Sequence, residues 1–288
     1  MYLGVDVGGT TIKFAVINDE YKIVLHEVCK TPDNKTLRIV DEIYRIAKAI
    51  KENFDFKYIG ISTSGVVDVN KVEIISSGLN ILNYVGTNFQ TELGDKLGVK
   101  VYADNDVNCA LLGEQWLGAA QGLSEVFCLT LGTGIGGAYY LNELPQGSNF
   151  SAGEIGQARY DFVTKTNYEQ RASTIALERR IRREIDENLS VKEFFELCRA
   201  NDEKSLKLLD EWIFHLSEGI VDMLLILDPK YVVIGGAISR QGDYLLNLIE
   251  NKVRELNPIK INKTKFLVAK LGNEAALYGA ISPFIKNK

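Results

Sequence analysis

A glycine-dense turn between two apolar runs constrains this chain more than any other feature of its sequence. Residues 132–137 (Gly-Thr-Gly-Ile-Gly-Gly) follow the apolar run 126–131 and precede a second apolar run, 138–141. A shorter turn, Gly-Gly-Thr-Thr at 8–11, follows the apolar start of the chain. Glycine allows backbone conformations and close approaches that other residues do not, and successive turn amides form a concave site for an anion. The sequence therefore predicts two strand–turn–strand units that could together hold one polyphosphate.

Each glycine turn also has a plainer interpretation, because a Gly-Gly pair after a strand is often only a turn. The P-loop pattern G-x-x-x-x-G-K-[ST] is absent from the sequence. Gly132, Gly134 and Gly137 match the dinucleotide pattern G-x-G-x-x-G, but that pattern requires a helix to open at the turn. Because residues 138–141 predict a strand instead, the sequence disfavours a Rossmann site.

Composition and charge exclude several classes of function. The chain has 288 residues and a formal net charge of -5, with no long basic tract, so neither nucleic acid nor an anionic membrane is an expected partner. No apolar run approaches the ~20 residues of a membrane span. The four cysteines are widely separated, which predicts neither a disulfide framework nor a C-x-x-C zinc site. We expect a cytoplasmic protein.

The predicted elements repeat one order, strand–strand–(strand)–helix–strand–helix, along the chain. The first copy covers strands within 2–29 and a helix at 35–53, and the second begins with a strand at 126–131. A single helix is predicted over 168–187. Because ligand loops in such sheets follow the carboxyl ends of strands, the pattern predicts an α/β fold of two lobes with a cleft between them.

Three charged residues could take part in phosphoryl transfer, which needs phosphate donors, a metal and a base. Asp6 ends an apolar strand and could hold Mg²⁺ directly or through water; a buried carboxylate otherwise needs another partner. Asp106 is a candidate general base, with a helix N-cap as the alternative. Lys13 could reach a phosphate, or it could be a solvent-facing strand lysine.

A second group of side chains suits a polyhydroxylated ligand, since amides and carboxylates donate to or accept from adjacent hydroxyls. Taken singly, each of them could equally be an ordinary surface or loop residue. The group comprises Asn80, Asn105, Glu154, Gln157 and Glu169.

These residues resemble the ROK family of sugar kinases and sugar-responsive repressors, within the actin-like (ribonuclease H-like) ATPase superfamily. The similarity extends over nearly the whole chain in order. It is found in Asp6–Thr10 with Lys13, Gly60–Asp68, Leu79-Asn80, Asn105–Asn108, Leu131–Gly137, Gly153–Gly156, Asp228–Gly236, and Gly272–Ala276 with Gly279-Ala280.

The resemblance implies two actin-like lobes, a small one at 1–113 rejoined by the C-terminal helix 273–288, and a large one at 114–272. It implies ATP and Mg²⁺ as cofactors, a small-molecule sugar as substrate, a homodimer, and Asp106 as the base for a primary hydroxyl. The implied ATP contacts are Asp6 (also the Mg²⁺ residue, directly or through water), Gly8, Gly9, Thr10, Thr11, Lys13, Gly132, Thr133, Gly134, Gly136, Gly235 and Gly236. The implied sugar contacts are Ser64, Gly65, Asn80, Asn105, Asp106, Glu154, Gln157 and Glu169.

One departure from the family pattern bears on metal and substrate. Many members have G-E-x-G-H followed by C-x-C-G-x-x-G-C-x-E, a structural zinc site near the sugar. Here Gln157 replaces the histidine, and no cysteine lies between it and Glu169. We therefore expect no zinc, and a β-glucoside such as cellobiose phosphorylated at its 6-hydroxyl. Glucose, N-acetylmannosamine and fructose remain alternatives.

Two other classes of function remain open. One is a sugar-sensing protein without catalysis, and the other is an ATPase of the chaperone or actin type. The repressors of the family have a winged helix before the first motif; because that motif begins here at Asp6, we expect a kinase and not a repressor.

Overall fold

The computed structural model describes residues 1–78, 81–260 and 263–286. Within these ranges, none of the helices is both long and apolar enough to span a membrane. The chain divides into two compact units. Unit 1 comprises 1–122, 144–152 and 273–288, and unit 2 comprises 123–143 and 153–272. Residues 114–122 and 144–152 thus belong to unit 1, whereas the predicted boundaries assign them to the large lobe.

The structure is mixed α/β, as the sequence predicts. The strands are β1 (Tyr2–Val7), β2 (Thr11–Ile17), β3 (Ile23–Lys30), β4 (Tyr58–Thr63), β5 (Val66–Asp68), β6 (Glu73–Ser76), β7 (Lys100–Asn105), β8 (Val126–Leu131), β9 (Ile135–Tyr140), β10 (Tyr231–Gly235) and β11 (Lys265–Val268). The helices are α1 (Ile39–Lys51), α2 (Asp95–Leu97), α3 (Asp106–Leu117), α4 (Tyr168–Ala172), α5 (Thr174–Glu184), α6 (Val191–Arg199), α7 (Glu203–Leu227), α8 (Asp243–Leu256), α9 (Ala275–Ile281) and α10 (Pro283–Lys286).

A five-stranded sheet in the order β3-β2-β1-β4-β7 forms the centre of unit 1. Strand β2 runs antiparallel to β1, whereas β4 and β7 run parallel to it. The register therefore places Asp6, Ser62 and Asp104 in one row near the carboxyl ends of the three parallel strands. Side chains and loops that follow this row share one edge of the sheet.

Helix α9 packs on this sheet through glycines that permit close backbone contact. A Cβ at Gly60 would lie 2.2 Å from the Ala280 carbonyl oxygen, and one at Gly113 would lie 2.1 Å from that of Ala275. Any larger residue would push α9 away from β4 and α3. The C-terminal helix therefore belongs to the core of unit 1.

Unit 2 has a four-stranded sheet in the order β11-β10-β8-β9. Strand β9 runs antiparallel to β8, and β10 and β11 are parallel to β8. Its core includes the fully buried Trp212 of α7 and Phe127 of β8. This order is that of unit 1 without the outermost antiparallel strand.

The prediction of a single helix over 168–187 is wrong, because the helix is interrupted at Ser173. Ser173 has an extended backbone, and its side chain caps α5 by accepting from the Ala176 amide at 3.2 Å. The indole of Trp212 donates to the Ala172 carbonyl at 3.1 Å, which satisfies the end of α4. A tertiary hydrogen bond from α7 thus supports a break that helical periodicity alone does not indicate.

Candidate active site

Asp6 is held by its neighbours on both sides of β1. Its Oδ2 lies 3.0 Å from Nζ of Lys13 on β2, and its Oδ1 accepts from the Ser62 hydroxyl on β4 at 2.9 Å. The Asp6 side chain is only 15% exposed, so a partner is required for its charge. Lys13, predicted to contact phosphate, is the counter-ion of Asp6 and retains further ammonium donors.

The first glycine turn is fixed from behind and open in front. Gly8 N donates to the Thr11 carbonyl at 3.0 Å, and the Thr31 hydroxyl donates to the Gly8 carbonyl at 2.7 Å. A Cβ added at Gly9 would meet no atom within 4 Å. The exposed face of the turn, which includes Thr10, is therefore accessible to a ligand.

Asn105 and Asp106 mark the passage from β7 into α3. Asn105 is the N-cap: its Oδ1 accepts from the Val107 amide at 2.8 Å, and its Nδ2 donates to the Gly65 carbonyl at 3.1 Å. The cap role that was the alternative for Asp106 thus falls to Asn105. Asp106 is the first helical residue, where a negative charge faces the positive end of the helix dipole.

Ser64 and Gly65 lie in the loop between β4 and β5. Gly65 has φ of +100°, and a Cβ there would lie 2.6 Å from the Ser76 carbonyl oxygen. Both the positive φ and this close approach require glycine. The loop therefore presents the Gly65 carbonyl to Asn105 in one fixed place. Asn80, also predicted to bind sugar, lies outside the described residues.

Asp104 is a residue of the site that the sequence motifs do not indicate. It is fully buried, and burial raises the pKa of its carboxyl, against hydrogen bonds that lower it. Four donors surround this carboxylate: Asn108 Nδ2 (2.8 Å), Tyr102 Oη (2.6 Å), Asn105 N (2.7 Å) and Gln146 Nε2 (3.0 Å). Asp104 therefore anchors the start of α3, and the only sequence signal for it was a second acidic residue in Asp-Asn-Asp.

In unit 2, the second glycine turn joins β8 to β9, and Thr133 is at its exposed tip. Gly132 N donates to the Gly134 carbonyl at 3.0 Å. Gly136 pairs with Thr130 in the hairpin, which confirms the strand that the sequence predicts after the turn. The turn is formed by backbone amides and lacks charged residues of its own.

Gly235 ends β10, and Gly236 follows with φ of +89°. A Cβ at Gly236 would lie 2.1 Å from the Leu131 carbonyl oxygen. The backbone at Gly236, one of the predicted ATP contacts, therefore packs directly against the end of β8.

Glu154, Gln157 and Glu169 lie together in unit 2. Gln157 Nε2 donates to Glu169 Oε1 at 2.8 Å, and the Ile135 amide donates to Glu169 Oε2 at 3.3 Å. Glu154 is exposed, yet the protein atoms around its carboxyl raise its pKa by desolvation, and the negative charge of Glu169 raises it further. The structure thus brings three predicted sugar residues beside the second glycine turn.

Arginine side chains hold the loop that separates Gln157 from Glu169. Arg159 pairs with Glu218 at 2.7 Å and with Asp222, both on α7. Arg171 donates to the carbonyls of Thr166 (2.6 Å) and Arg159 (2.7 Å). Among residues 1–78, 81–260 and 263–286, no three His, Cys, Asp or Glu side chains are grouped to hold a metal ion.

The strand orders of both units, each with a glycine turn after its first strand, define the actin-like ATPase fold. The ROK glucokinase of Streptomyces griseus, solved with glucose and AMPPNP, superposes with a TM-score of 0.84, at 26% identity and 98% coverage of both chains. A family model described as "ROK family" matches residues 2–287. The chain belongs to the ROK family.

Two curated relatives are similar over nearly the full length. A β-glucoside kinase of Listeria monocytogenes is 30% identical over 98% of this chain and 97% of its own. A glucokinase of Halalkalibacterium halodurans is 30% identical over 96% of this chain and 93% of its own. Relatives with different sugar names are thus equally similar to this chain.

Proposed function

We propose that this protein transfers the γ-phosphoryl group of ATP to the primary 6-hydroxyl of a hexose-type sugar, with a β-glucoside such as cellobiose as acceptor. The protein is an ATP-dependent carbohydrate kinase of the ROK family; we propose the identity of the sugar acceptor, the hydroxyl that is phosphorylated and the residues that bind and react. The observation that carries it is the placement of Asp106 directly after Asn105, at the same sheet edge as Asp6 and its glycine turn.

Asp106 takes the proton of the sugar hydroxyl as the oxygen attacks the γ-phosphorus. A general base needs a carboxylate within hydrogen-bond reach of that proton, and its position is supported by contacts on either side. Asn105 caps α3 and bonds to Gly65, while the buried Asp104 accepts from the Asn105 amide. The base therefore projects from a backbone with little freedom to move.

The phosphates of ATP bind the open face of the first glycine turn, through Gly8, Gly9, Thr10 and Thr11. Gly132, Thr133, Gly134 and Gly136 of the second turn supply further amide and hydroxyl donors, and Gly235-Gly236 receives the adenosine. Backbone amides in glycine turns suit this task because they carry fixed partial positive charges. Lys13 extends the cationic surroundings of the first turn while it neutralises Asp6.

The donor set fits Mg²⁺ held chiefly by the nucleotide. Mg²⁺ keeps several waters and binds through one or two carboxylates plus substrate phosphates. Asp6 has both oxygens engaged, by Ser62 and Lys13, so a contact through water suits it better than a direct bond. Bound there, the ion would neutralise charge on the transferring phosphoryl group.

The proposed sugar contacts, besides Asp106, are Glu154, Gln157, Glu169, Asn105, Ser64, Gly65 and Asn80. A β-glucoside is favoured because Gln157 occupies the position that is histidine in many members, with arginine pairs holding the loop that follows. The similarity to a β-glucoside kinase supports the same choice. Glucose is the second candidate because a glucokinase is equally similar. A homodimer in the cytoplasm remains an expectation from the family.

The test is an ADP-release assay with glucose, cellobiose, an aryl-β-glucoside, fructose, N-acetylmannosamine and N-acetylglucosamine, each with and without Mg²⁺. We expect turnover that depends on sugar and Mg²⁺ and is highest with cellobiose or the aryl-β-glucoside. Turnover highest with glucose or another monosaccharide would correct the acceptor. ATP consumption independent of sugar would favour the ATPase alternative, and sugar binding without ATP consumption would favour the non-catalytic sensor.

A further inference from the structure

We infer that Asn167 is a positioning residue that sets, through Gln157, the orientation of the Glu169 carboxylate. The inference rests on the proposed function, which assigns Glu169 to the sugar. Asn167 Nδ2 donates to Gln157 Oε1 at 2.9 Å, and Gln157 Nε2 donates to Glu169 Oε1 at 2.8 Å. We call these three side chains the amide relay.

The direction of the amide relay is set at one end by helix capping. Asn167 is the N-cap of α4, and its Oδ1 accepts from the Gln170 amide at 3.0 Å. Nδ2 is then the group that faces Gln157, so Gln157 presents Oε1 to Asn167 and Nε2 to Glu169. This is the orientation Glu169 needs, because an ionised carboxylate only accepts hydrogen bonds.

The other oxygen of Glu169 is held by the backbone of the second glycine turn. The Ile135 amide donates to Oε2 at 3.3 Å, and a Cβ at Gly134 would lie 2.4 Å from that oxygen. The carboxylate is thus fixed at both oxygens, by the amide relay and by the turn. These two contacts therefore also set the directions in which the remaining lone pairs of the Glu169 carboxylate can accept hydrogen bonds from a sugar.

Without the amide relay, Glu169 would retain only the longer bond to Ile135. Its side chain would gain rotamer freedom, which a sugar would have to remove on binding. The cost would fall on sugar affinity, and much less on ATP, because the bond to the turn remains. The sequence offers a way to disturb the relay without losing the helix cap.

The experiment compares three variants in the ADP-release assay, with the sugar of highest turnover. Asn167→Asp retains a capping oxygen, since Asp caps as well as Asn, but replaces the donor by a charged acceptor. The Gln157 amide must then rotate to donate to the new carboxylate and would turn its oxygen toward Glu169. We expect the sugar KM to rise about tenfold, the size of one hydrogen bond to a charged group. The ATP KM and kcat should change less than about twofold.

Asn167→Ser is the milder variant, because serine also caps but adds no charge and does not reverse the amide. We expect a rise in sugar KM of about threefold, from loss of the bond that orients Gln157. Gln170→Ala is the matched control. The Gln170 side chain accepts from the Asn167 amide at 2.9 Å as the second half of the capping box, so its loss weakens the cap without touching the relay.

The outcomes distinguish a failure of the amide relay from a failure of the proposed function. An unchanged sugar KM in Asn167→Asp, in a preparation whose wild type is active, overturns the amide relay alone. The amide relay is also overturned if Gln170→Ala raises the sugar KM as much as Asn167→Asp does, because a weaker helix cap would then explain both effects. If no sugar of the panel supports ATP consumption by the wild-type protein, the proposed function is overturned, and the amide relay with it.

Discussion

The two units share a strand arrangement but differ in the side chains at the same position. In unit 1, Asp6 is the penultimate residue of β1, flanked by Lys13 and Ser62. In unit 2, the penultimate residue of β8 is Thr130, flanked by Gly136 and Gly235. An ion pair beside a serine hydroxyl in one sheet thus corresponds to a threonine between two glycines in the other.

This difference indicates a division of labour between two similar frameworks. Unit 1 places carboxyl groups at the ends of its strands, with Asp6 near the end of β1 and Asp106 directly after β7, and these can take part in proton and phosphoryl transfer. Unit 2 surrounds its turn with glycines whose missing side chains leave room for close backbone contacts. Changes of charge in unit 1 should therefore affect turnover, whereas added side chains in unit 2 should affect folding and nucleotide binding.

The largest expected effect comes from Asp106→Asn in unit 1. We expect kcat to fall by a factor on the order of 10² or more, the contribution of a general base. Sugar binding by calorimetry should stay near wild type, and so should thermal stability, because Asn105 and not Asp106 caps the helix. Normal turnover in this variant would place the base elsewhere and remove the chemical role from this edge of unit 1.

The next effect contrasts a glycine from each unit. Gly236→Ala in unit 2 combines φ of +89° with a Cβ 2.1 Å from the Leu131 carbonyl oxygen. The strain of such a backbone conformation alone costs about 1–3 kcal/mol, so we expect a clear loss in the free energy of unfolding by urea titration. Gly9→Ala in unit 1, where the Cβ meets nothing within 4 Å, should unfold like wild type and raise only the ATP KM. Equal stability of the two variants would contradict the contrast.

A smaller effect concerns surface ion pairs, for which we expect the same behaviour in unit 1 and unit 2. In unit 2, hydrogen bonds from Arg180 and then Arg183 lower the pKa of Glu184 from 4.5 to about 2. A lowered folded-state pKa adds stability above the unfolded value, and this is lost as the pH falls from 4.5 toward 2. Because the Glu184 side chain is 32% exposed, we expect Glu184→Gln to cost no more than ~1 kcal/mol at neutral pH.

Thermal melting of Glu184→Gln and wild type should therefore differ slightly at pH 7 and converge toward pH 2.5. The counterpart in unit 1 is Glu92, whose pKa is lowered chiefly by its hydrogen bond from Arg38. Glu92→Gln should show the same sign of pH dependence. Opposite signs in the two variants would mean that the units differ in their surfaces as well as at their strand ends.

The smallest expected effect is that of zinc removal. The loop after Gln157 is held by Arg159 and Arg171 through bonds to side chains and carbonyls. Dialysis against a zinc chelator, followed by return of Mg²⁺, should leave the melting temperature and turnover unchanged, and metal analysis should find no zinc. Stoichiometric zinc in the purified protein, with lower stability after its removal, would show that unit 2 depends on a metal that we do not expect.

Much of the fold could be predicted because its signals are local. Alternating and continuous apolar runs between glycine turns indicate strands of both sheets, including β9 after the second glycine turn, and helical spacing indicates α1. The break at Ser173 could not be found in this way, since a hydrogen bond from Trp212, 39 residues along the chain, supports it. The β5–β6 hairpin was missed as well, because its strands are short.

For the candidate site, sequence alone identified residue types and their order: two glycine turns, Asp6, Asp106 and the polar residues after β9. Only the tertiary structure decided which atoms are already engaged. It pairs Lys13 with Asp6, gives the cap of α3 to Asn105, surrounds the buried Asp104 with donors, and orients Gln157 through Asn167. The reason is physical: strand and turn propensities act over a few neighbouring residues, whereas the partner of a buried charge or amide is set by strand register and packing between segments distant in the chain.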